Sequence, residues 1–163
     1  MRLKLDDLRQ ITARGEWKAL AASVAATDTA VLRREDFETY WIEAGHQIRE
    51  QVDDDRALIR LLRKMLPPYS GPGLDLYRGE NVNRWRAGRL GLAWTLDVET
   101  ARMFGRGLNA FYGGGVLLRA RFEAPAILSA PSEHSRYLDE GQFTVDPFAG
   151  TGMVVIEVYP EVT

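Results

Sequence analysis

Residues 67–80 read Pro-Pro-Tyr-Ser-Gly-Pro-Gly-Leu-Asp-Leu-Tyr-Arg-Gly-Glu, and this stretch separates two parts of the chain that differ in pattern. Proline and glycine at this density end a helix and favour a turned or extended segment. The sequence therefore predicts an α+β protein with a helical layer over residues 1–66, a linker at 67–73 and a β-rich body at 74–163. We expect these parts to form one compact domain overall.

Apolar residues before the linker recur at helical spacing. Residues 37–52 carry them at i, i+4, i+7, i+11 and i+15, which predicts one long helix. A second stripe over residues 58–65 follows three aspartates at 53–55, and acidic residues suit a helix N-terminus. A weaker pattern around Trp17 indicates one or two further helices, with that side chain in the core.

Apolar residues after the linker form short runs instead. Five of these runs predict strands, at residues 74–78, 91–95, 116–122, 142–145 and 153–158. Residues 98–104 predict one short helix between the second and third strands, with Phe104 facing inward.

Composition excludes several classes of protein. The 163 residues include 21 basic and 23 acidic side chains, for a net charge of −2, and there is no cysteine. Disulfides, thiolate metal sites and cysteine nucleophiles are excluded, and two histidines are too few for a histidine-rich metal site. No apolar run approaches the roughly 20 residues that span a bilayer. We expect a soluble, cytoplasmic protein without a metal or a membrane partner.

Charge is unevenly distributed within the second part of the chain. Residues 76–121 hold eight arginines against three acidic residues, whereas residues 122–163 hold one arginine against seven acidic residues. Aromatic side chains interleave with the basic stretch, a combination that suits nucleic acid because arginines meet phosphates and aromatics stack on bases. The alternative interpretation is ordinary solvated surface with local salt bridges.

Arg78 is the first candidate for a binding role. It follows Leu76 on the same face of the predicted strand, and a guanidinium at the end of an apolar face suits bidentate contact with a phosphate or carboxylate. Pairing with Glu80 or Asp75 is the structural alternative.

Two later segments also combine a strand with polar groups. Residues 91–104 form a predicted strand that runs directly into a helix, which Thr95 or Asp97 can cap. Further along, Glu140 and Gln142 lie two residues apart where a loop enters a strand, so they share a strand face.

Taken in order, these segments resemble the mono-ADP-ribosyltransferases. The match consists of a Tyr-Arg-Gly strand, a Gly-x-x-Trp-Thr-x-Asp strand followed by an Ala-x-x-Phe helix, and a late Glu-x-Gln strand entry, over about residues 74–158. The closer likeness is to the Arg–Ser–Glu branch, which includes bacterial and phage toxins. The resemblance implies a split β-sheet body, a glycosyltransferase reaction with NAD as substrate, and an antitoxin as a further partner.

The resemblance also implies roles for individual residues. Arg78 matches the arginine that holds the NAD pyrophosphate and nicotinamide ribose, and Thr95 falls in the triplet that supports the nicotinamide site and the catalytic carboxylate. Glu140 and Gln142 fall on the family's Glu-x-Glu, whose second glutamate is catalytic, and Tyr137 lies where an aromatic recognises the acceptor. The other implied NAD contacts are Gly79, Trp94 and Phe104.

This chain departs from the family at two positions. Ala93 stands where serine is common, and Gln142 stands where the catalytic glutamate belongs. Cleavage of the nicotinamide–ribose bond passes through an oxocarbenium-like cation, which a carboxylate stabilises and a glutamine does not. The glutamine indicates an inactivated enzyme, a natural binding-only relative, or a chain in which Glu140 takes the catalytic role.

The leading functional prediction is an NAD-dependent mono-ADP-ribosyltransferase of toxin type, in a catalytically impaired form. Its acceptor is a macromolecule, either a protein or a nucleic acid. Hydrolysis of NAD without transfer is a second enzymatic prediction that uses the same pocket. A non-catalytic NAD-binding or phage-derived module is the prediction from another class, and Gln142 favours it.

Overall fold

The α+β class is confirmed by a computed structural model, which describes residues 3–27, 32–131 and 141–163. The chain divides into two compact units, Met1–Pro68 and Tyr69–Thr163. This division falls within the proline- and glycine-rich segment at 67–73. No helix in the described ranges is both long and apolar enough to cross a membrane.

The N-terminal unit is helical. Its helices are α1 (Leu5–Arg14), α2 (Trp17–Ala26), α3 (Arg34–Val52) and α4 (Asp55–Met65). Gly15 ends α1 with a left-handed φ of 69°, which separates the first two helices. Trp17 is fully buried and its indole N–H donates to the Thr12 hydroxyl at 2.8 Å. Asp54 caps α4 by accepting from the backbone amides of its first turn.

The C-terminal unit is built on a six-stranded antiparallel sheet. In chain order the strands are β1 (Leu74–Asn81), β2 (Ala93–Thr95), β3 (Gly115–Phe122), β4 (Ile127–Ser129), β5 (Gln142–Val145) and β6 (Thr151–Tyr159). Their order across the sheet is β4-β5-β2-β1-β3-β6. The contact between β1 and β2 consists of a single register pair, Tyr77 opposite Thr95, whereas β1 and β3 pair along their whole length.

Apolar side chains recur at every second position of these strands, and on one face of the sheet they form the core of this unit. Leu76 on β1, Trp94 on β2, Leu118 on β3 and Phe143 on β5 belong to one buried apolar cluster. Trp94 packs edge-on against Phe122 with 5.0 Å between ring centroids. Residues adjacent to these along the strands point to the other face of the sheet, where polar side chains are tolerated.

Helices α5 (Val82–Arg86) and α6 (Val98–Arg106) complete the regular structure of this unit. Helix α6 extends two residues beyond the predicted 98–104. Helix α5 and strand β4 were not predicted, because five and three residues are too few to produce a recognisable period. Asn81 starts α5 by accepting from the amides of Asn83 and Arg84, a side-chain cap that substitutes for an apolar stripe.

Candidate functional site

The three segments that carry the family resemblance lie on neighbouring strands. Strand β2 is hydrogen-bonded between β1 and β5, with Thr95 opposite Tyr77 on one side and opposite Gln142 on the other. Residues directly opposite in an antiparallel pair project to the same face. Tyr77, Thr95 and Gln142 therefore form one row of side chains across the centre of the sheet.

Thr95 is held rigidly at the turn from β2 into α6. The residue is buried, and its hydroxyl accepts a hydrogen bond from the Asp97 amide at 3.1 Å. Asp97 in turn caps α6, accepting from the Glu99 amide at 2.9 Å and from the Thr100 hydroxyl at 3.0 Å. The strand-to-helix turn predicted from the sequence is thus fixed by two consecutive side-chain caps.

A cleft of about 520 Å³ opens beside Thr95. Its polar wall includes Thr95, Asp97 and Thr100, and its apolar wall includes Tyr69 and Phe143. This volume lies within the range of small-molecule sites, which combine apolar walls with a few polar groups. Neither Arg78 nor Gln142 belongs to the lining of this cleft.

Arg78 has a side chain only 15% exposed. Its Nε donates to Glu80 at 2.7 Å, and its Nη1 donates to the carbonyl oxygen of Ala93 on β2 at 2.9 Å. The guanidinium therefore links β1 to β2 beyond the single register pair of these strands. Among the described residues, Nη2 of this guanidinium has no hydrogen-bond partner, so this nitrogen is the one that can donate to a ligand.

Gly91 makes this position of the guanidinium possible. A Cβ atom at residue 91 would lie 2.1 Å from Nη2 of Arg78, so any other side chain would displace the arginine. The Gly91 carbonyl also accepts from the indole N–H of Trp94 at 2.9 Å. The glycine of the Gly-x-x-Trp segment is thus explained by the close approach of the Arg78 side chain.

Glu80 is a buried carboxylate that holds Arg78 in place. It is 0% exposed, and besides Arg78 it accepts from the amides of Gly91 and Asn81, each at 2.8 Å. Burial raises the pKa of Glu80, but the positive charge of Arg78 and these hydrogen bonds outweigh it, so the pKa lies below the ordinary glutamate value. The structural alternative foreseen for Arg78, pairing with Glu80, is therefore present.

The remaining candidate residues have separate positions. Trp94 is fully buried in the core, and Phe104 is half-buried on α6. Gly79 is buried, and a Cβ there would lie 2.1 Å from the Ala101 carbonyl oxygen, so this glycine permits the close contact between β1 and α6. Gln142 is half-buried, while its neighbour Phe143 packs into the core.

Two candidates, Tyr137 and Glu140, lie outside the described residues. Their implied roles, acceptor recognition and catalysis, stay predictions. Pro131 and Gly141, which flank this part of the sequence, both line the cleft beside Thr95. Within the described ranges, no group of three or more His, Cys, Asp or Glu residues is placed to hold a metal ion.

From the sequence, Glu80 was expected only as an alternative partner of Arg78, and Gly91 was given no part in the candidate site. Glu80 follows Arg78 by two residues, so the same strand alternation that placed Leu76 beside Arg78 also puts the carboxylate on that face. The sequence signal for Gly91 was weaker, because the need for glycine at this position comes from the Arg78 side chain, thirteen residues earlier. Only the fold brings these two residues together.

Comparison of the chain with protein-family models, with curated proteins and with solved structures finds no match.

Proposed function

We propose that the C-terminal unit is an NAD-binding domain of the mono-ADP-ribosyltransferase type, in a catalytically impaired form. The observation that carries the proposal is the row of Tyr77, Thr95 and Gln142 on three adjacent strands beside a ligand-sized cleft. The motif segments are separate in the sequence, and the sheet order β5-β2-β1 brings them together. The narrow contact between β1 and β2 is in keeping with the split sheet that the resemblance implies.

Arg78 has one nitrogen suited to an NAD phosphate. Two nitrogens of its fork are held by Glu80 and Ala93, which fixes the direction of the third. A cation fixed in advance binds a phosphate with less loss of side-chain entropy than a mobile one. Arg78 lies on the face of β1 that carries Leu76, whereas Thr95 lies on the other face of the sheet, so this role requires the ligand to extend from the cleft beside Thr95 around the junction of β1 and β2.

Gln142 limits the rate of the reaction that we propose for this site. In the proposed reaction the bond between nicotinamide and the ribose C1′ breaks, nicotinamide leaves with the bonding electrons, and the acceptor attacks C1′. The ribose carries positive charge as the bond breaks, and a carboxylate beside it lowers the barrier. An amide of the same size keeps hydrogen bonding but supplies no charge, so turnover falls by roughly 10²–10³.

Nicotinamide release from NAD tests this assignment. We expect slow release by the unchanged chain and release roughly 10²–10³ faster by Gln142→Glu. Thr144→Glu is the matched control, because it places the same charge on the same strand face two register pairs away, opposite Ala93 instead of Thr95. Equal gains in both variants, or no gain in either, would contradict the proposed role of position 142.

A variant of Glu140 separates the remaining enzymatic alternative. If Glu140 carries the catalytic role, Glu140→Gln abolishes release and Gln142→Glu changes nothing. Measuring ADP-ribose in solution beside nicotinamide distinguishes hydrolysis from transfer, because hydrolysis yields the two products in equal amounts.

The second candidate function is a non-catalytic NAD-binding module. The specific observations in its favour are the absence of a carboxylate at position 142 and the ion pair with Glu80 that already neutralises Arg78. Such a module binds NAD without releasing nicotinamide, and Gln142→Glu leaves it inactive. Binding and release measured on the same two proteins therefore separate the two functions.

A further inference from the structure

An exposed group of arginines lies on and just after the short helix α5. Arg84, Arg86 and Arg89 are all exposed, and none of their guanidinium groups forms a salt bridge within the described residues. No acidic residue occurs between Glu80 and Asp97. Within the part of the chain that the structure describes, these three positive charges reach solvent without an ion-pair partner, in a protein whose net charge is −2.

The loop beside this helix carries an exposed aromatic residue. Tyr112 is 84% exposed and has a φ of 61°, a left-handed conformation that a bulky residue rarely adopts. Such a conformation persists only where the surrounding structure determines it, and it is frequent at ligand sites.

Asparagine side chains hold the Tyr112 loop against α5. The Nδ2 of Asn81 donates to the carbonyl oxygens of Phe111 at 2.8 Å and Tyr112 at 3.2 Å, while its Oδ1 caps α5. The Nδ2 of Asn83 donates to the Tyr112 carbonyl oxygen at 2.8 Å. The backbone of Tyr112 is thus hydrogen-bonded to the start of α5, the helix that carries Arg84 and Arg86.

One acidic residue is hydrogen-bonded to the backbone of this loop. Glu161 accepts from the amide of Gly113 at 2.9 Å. There is no acidic residue between Glu99 and Glu123, the stretch of chain that includes Tyr112. The surface of Arg84, Arg86, Arg89 and Tyr112, here called the basic–aromatic surface, thus keeps an excess of positive charge.

We propose that the basic–aromatic surface binds single-stranded nucleic acid. Guanidinium groups pair with the phosphates of the backbone, and an exposed ring offers a face on which an unpaired base stacks. A duplex hides the faces of its bases, and an acidic protein has no base to stack, so the tyrosine favours a single strand over both. The inference does not depend on NAD binding, because it uses none of the residues that line the cleft.

Fluorescence anisotropy of a labelled oligothymidylate with the full chain tests this inference. We expect saturable binding that weakens with salt, and at least about tenfold weaker binding after the triple change R84Q, R86Q and R89Q. The slope of log affinity against log salt should fall by about 2, since each phosphate contact on a single strand contributes about 0.7. The control is the triple change R56Q, R60Q and R63Q, which removes the same charge from exposed arginines of α4 and should leave binding within about twofold.

A substitution at Tyr112 tests the stacking part separately. Tyr112→Asn removes the ring, and asparagine tolerates a left-handed backbone, so the loop keeps its conformation. We expect about tenfold weaker binding for Tyr112→Asn and unchanged binding for Tyr112→Phe, which keeps the ring.

Three outcomes would overturn the inference. The first is no binding of the oligothymidylate at low salt. The second is an equal loss of affinity in both arginine variants, which would show that net charge alone governs binding. The third is competition by a duplex or by polyglutamate as strong as competition by unlabelled oligothymidylate, which would assign the surface to another class of partner.

Discussion

Glu80 illustrates how a single residue keeps its charge inside the C-terminal unit. Its carboxylate is fully buried, yet three donors converge on it, from Arg78, Gly91 and Asn81. Removal of one partner from a buried ion pair leaves the other charge uncompensated and costs about 3 kcal/mol or more. We therefore expect Glu80→Gln to lower the unfolding free energy of this unit by about 3 kcal/mol at neutral pH, measured by hydrogen exchange of β1 in increasing urea.

The pH dependence of this loss follows from the lowered pKa of Glu80. The folded protein binds fewer protons at this site than the unfolded chain, whose glutamate pKa is about 4.3. The stabilisation is complete above that pH and disappears as the pH falls through the folded pKa, so the difference between the two proteins should shrink in acid. Glu123→Gln, at an exposed partner of Arg121, should cost less than about 1 kcal/mol at any pH.

Arg78 is expected to contribute through the shape of its fork as well as through its charge. Arg78→Lys keeps the positive charge but has no second and third nitrogen to hold Glu80, Ala93 and a phosphate together. NAD affinity measured by titration calorimetry should fall about tenfold, the value of one charge-assisted hydrogen bond. Arg121→Lys, at an exposed position on β3, is the control, and an equal change in both variants would remove Arg78 from the site.

At the scale of elements, the packing of α6 on β1 depends on the absence of a side chain at Gly79. A Cβ atom there would lie 2.1 Å from the Ala101 carbonyl oxygen and 2.2 Å from the Gly105 nitrogen, both of them backbone atoms of α6. We expect Gly79→Ala to destabilise the C-terminal unit by about 3 kcal/mol, since a close-packed contact between two backbones has to open.

Gly88→Ala provides the comparison for this substitution. Gly88 has a left-handed φ of 69° and open space around its Cβ position. Alanine there should therefore lower the unfolding free energy by about 1 kcal/mol, the cost of a left-handed backbone for a residue with a Cβ atom. Thermal unfolding of both variants measures the difference. A Gly79→Ala protein as stable as Gly88→Ala would show that α6 does not rest on β1 as described.

Elements with a long run of regularly spaced apolar residues, or with a clear boundary signal, were predictable from the sequence. The stripe from residue 37 to 52 became α3, and the predicted strand at 142–145 is β5. Helix α5 was not predicted because it has no apolar stripe: its start depends on a cap by the Asn81 side chain, and Val82 is its one buried residue. Strand β1 continues three residues beyond the predicted end because β3 pairs with it up to Asn81, a partner that local sequence does not reveal.

At the scale of the whole molecule, the sequence indicated candidate residues but not their surroundings. The order of the segments singled out Thr95 and Gln142, whose roles stay predictions, and the sheet brings these two residues opposite each other. The same segments left pairing of Arg78 with Glu80 as one alternative among others, and they did not reveal that the lining of the cleft includes neither Arg78 nor Gln142. The lining of the cleft depends on contacts between distant parts of the chain, which the local sequence pattern does not determine.

The central claim is that NAD binds in the cleft beside Thr95, and amide chemical shifts during an NAD titration of isotope-labelled protein test it most directly. We predict saturable shifts of the Thr95, Asp97, Thr100 and Gly141 amides, which lie at the cleft. Thr100→Trp fills the cleft and should abolish these shifts, whereas Met103→Trp, at an exposed site on the same helix, should preserve them. Cleft amides that do not move at saturating NAD, or that move equally in Thr100→Trp, would contradict the account.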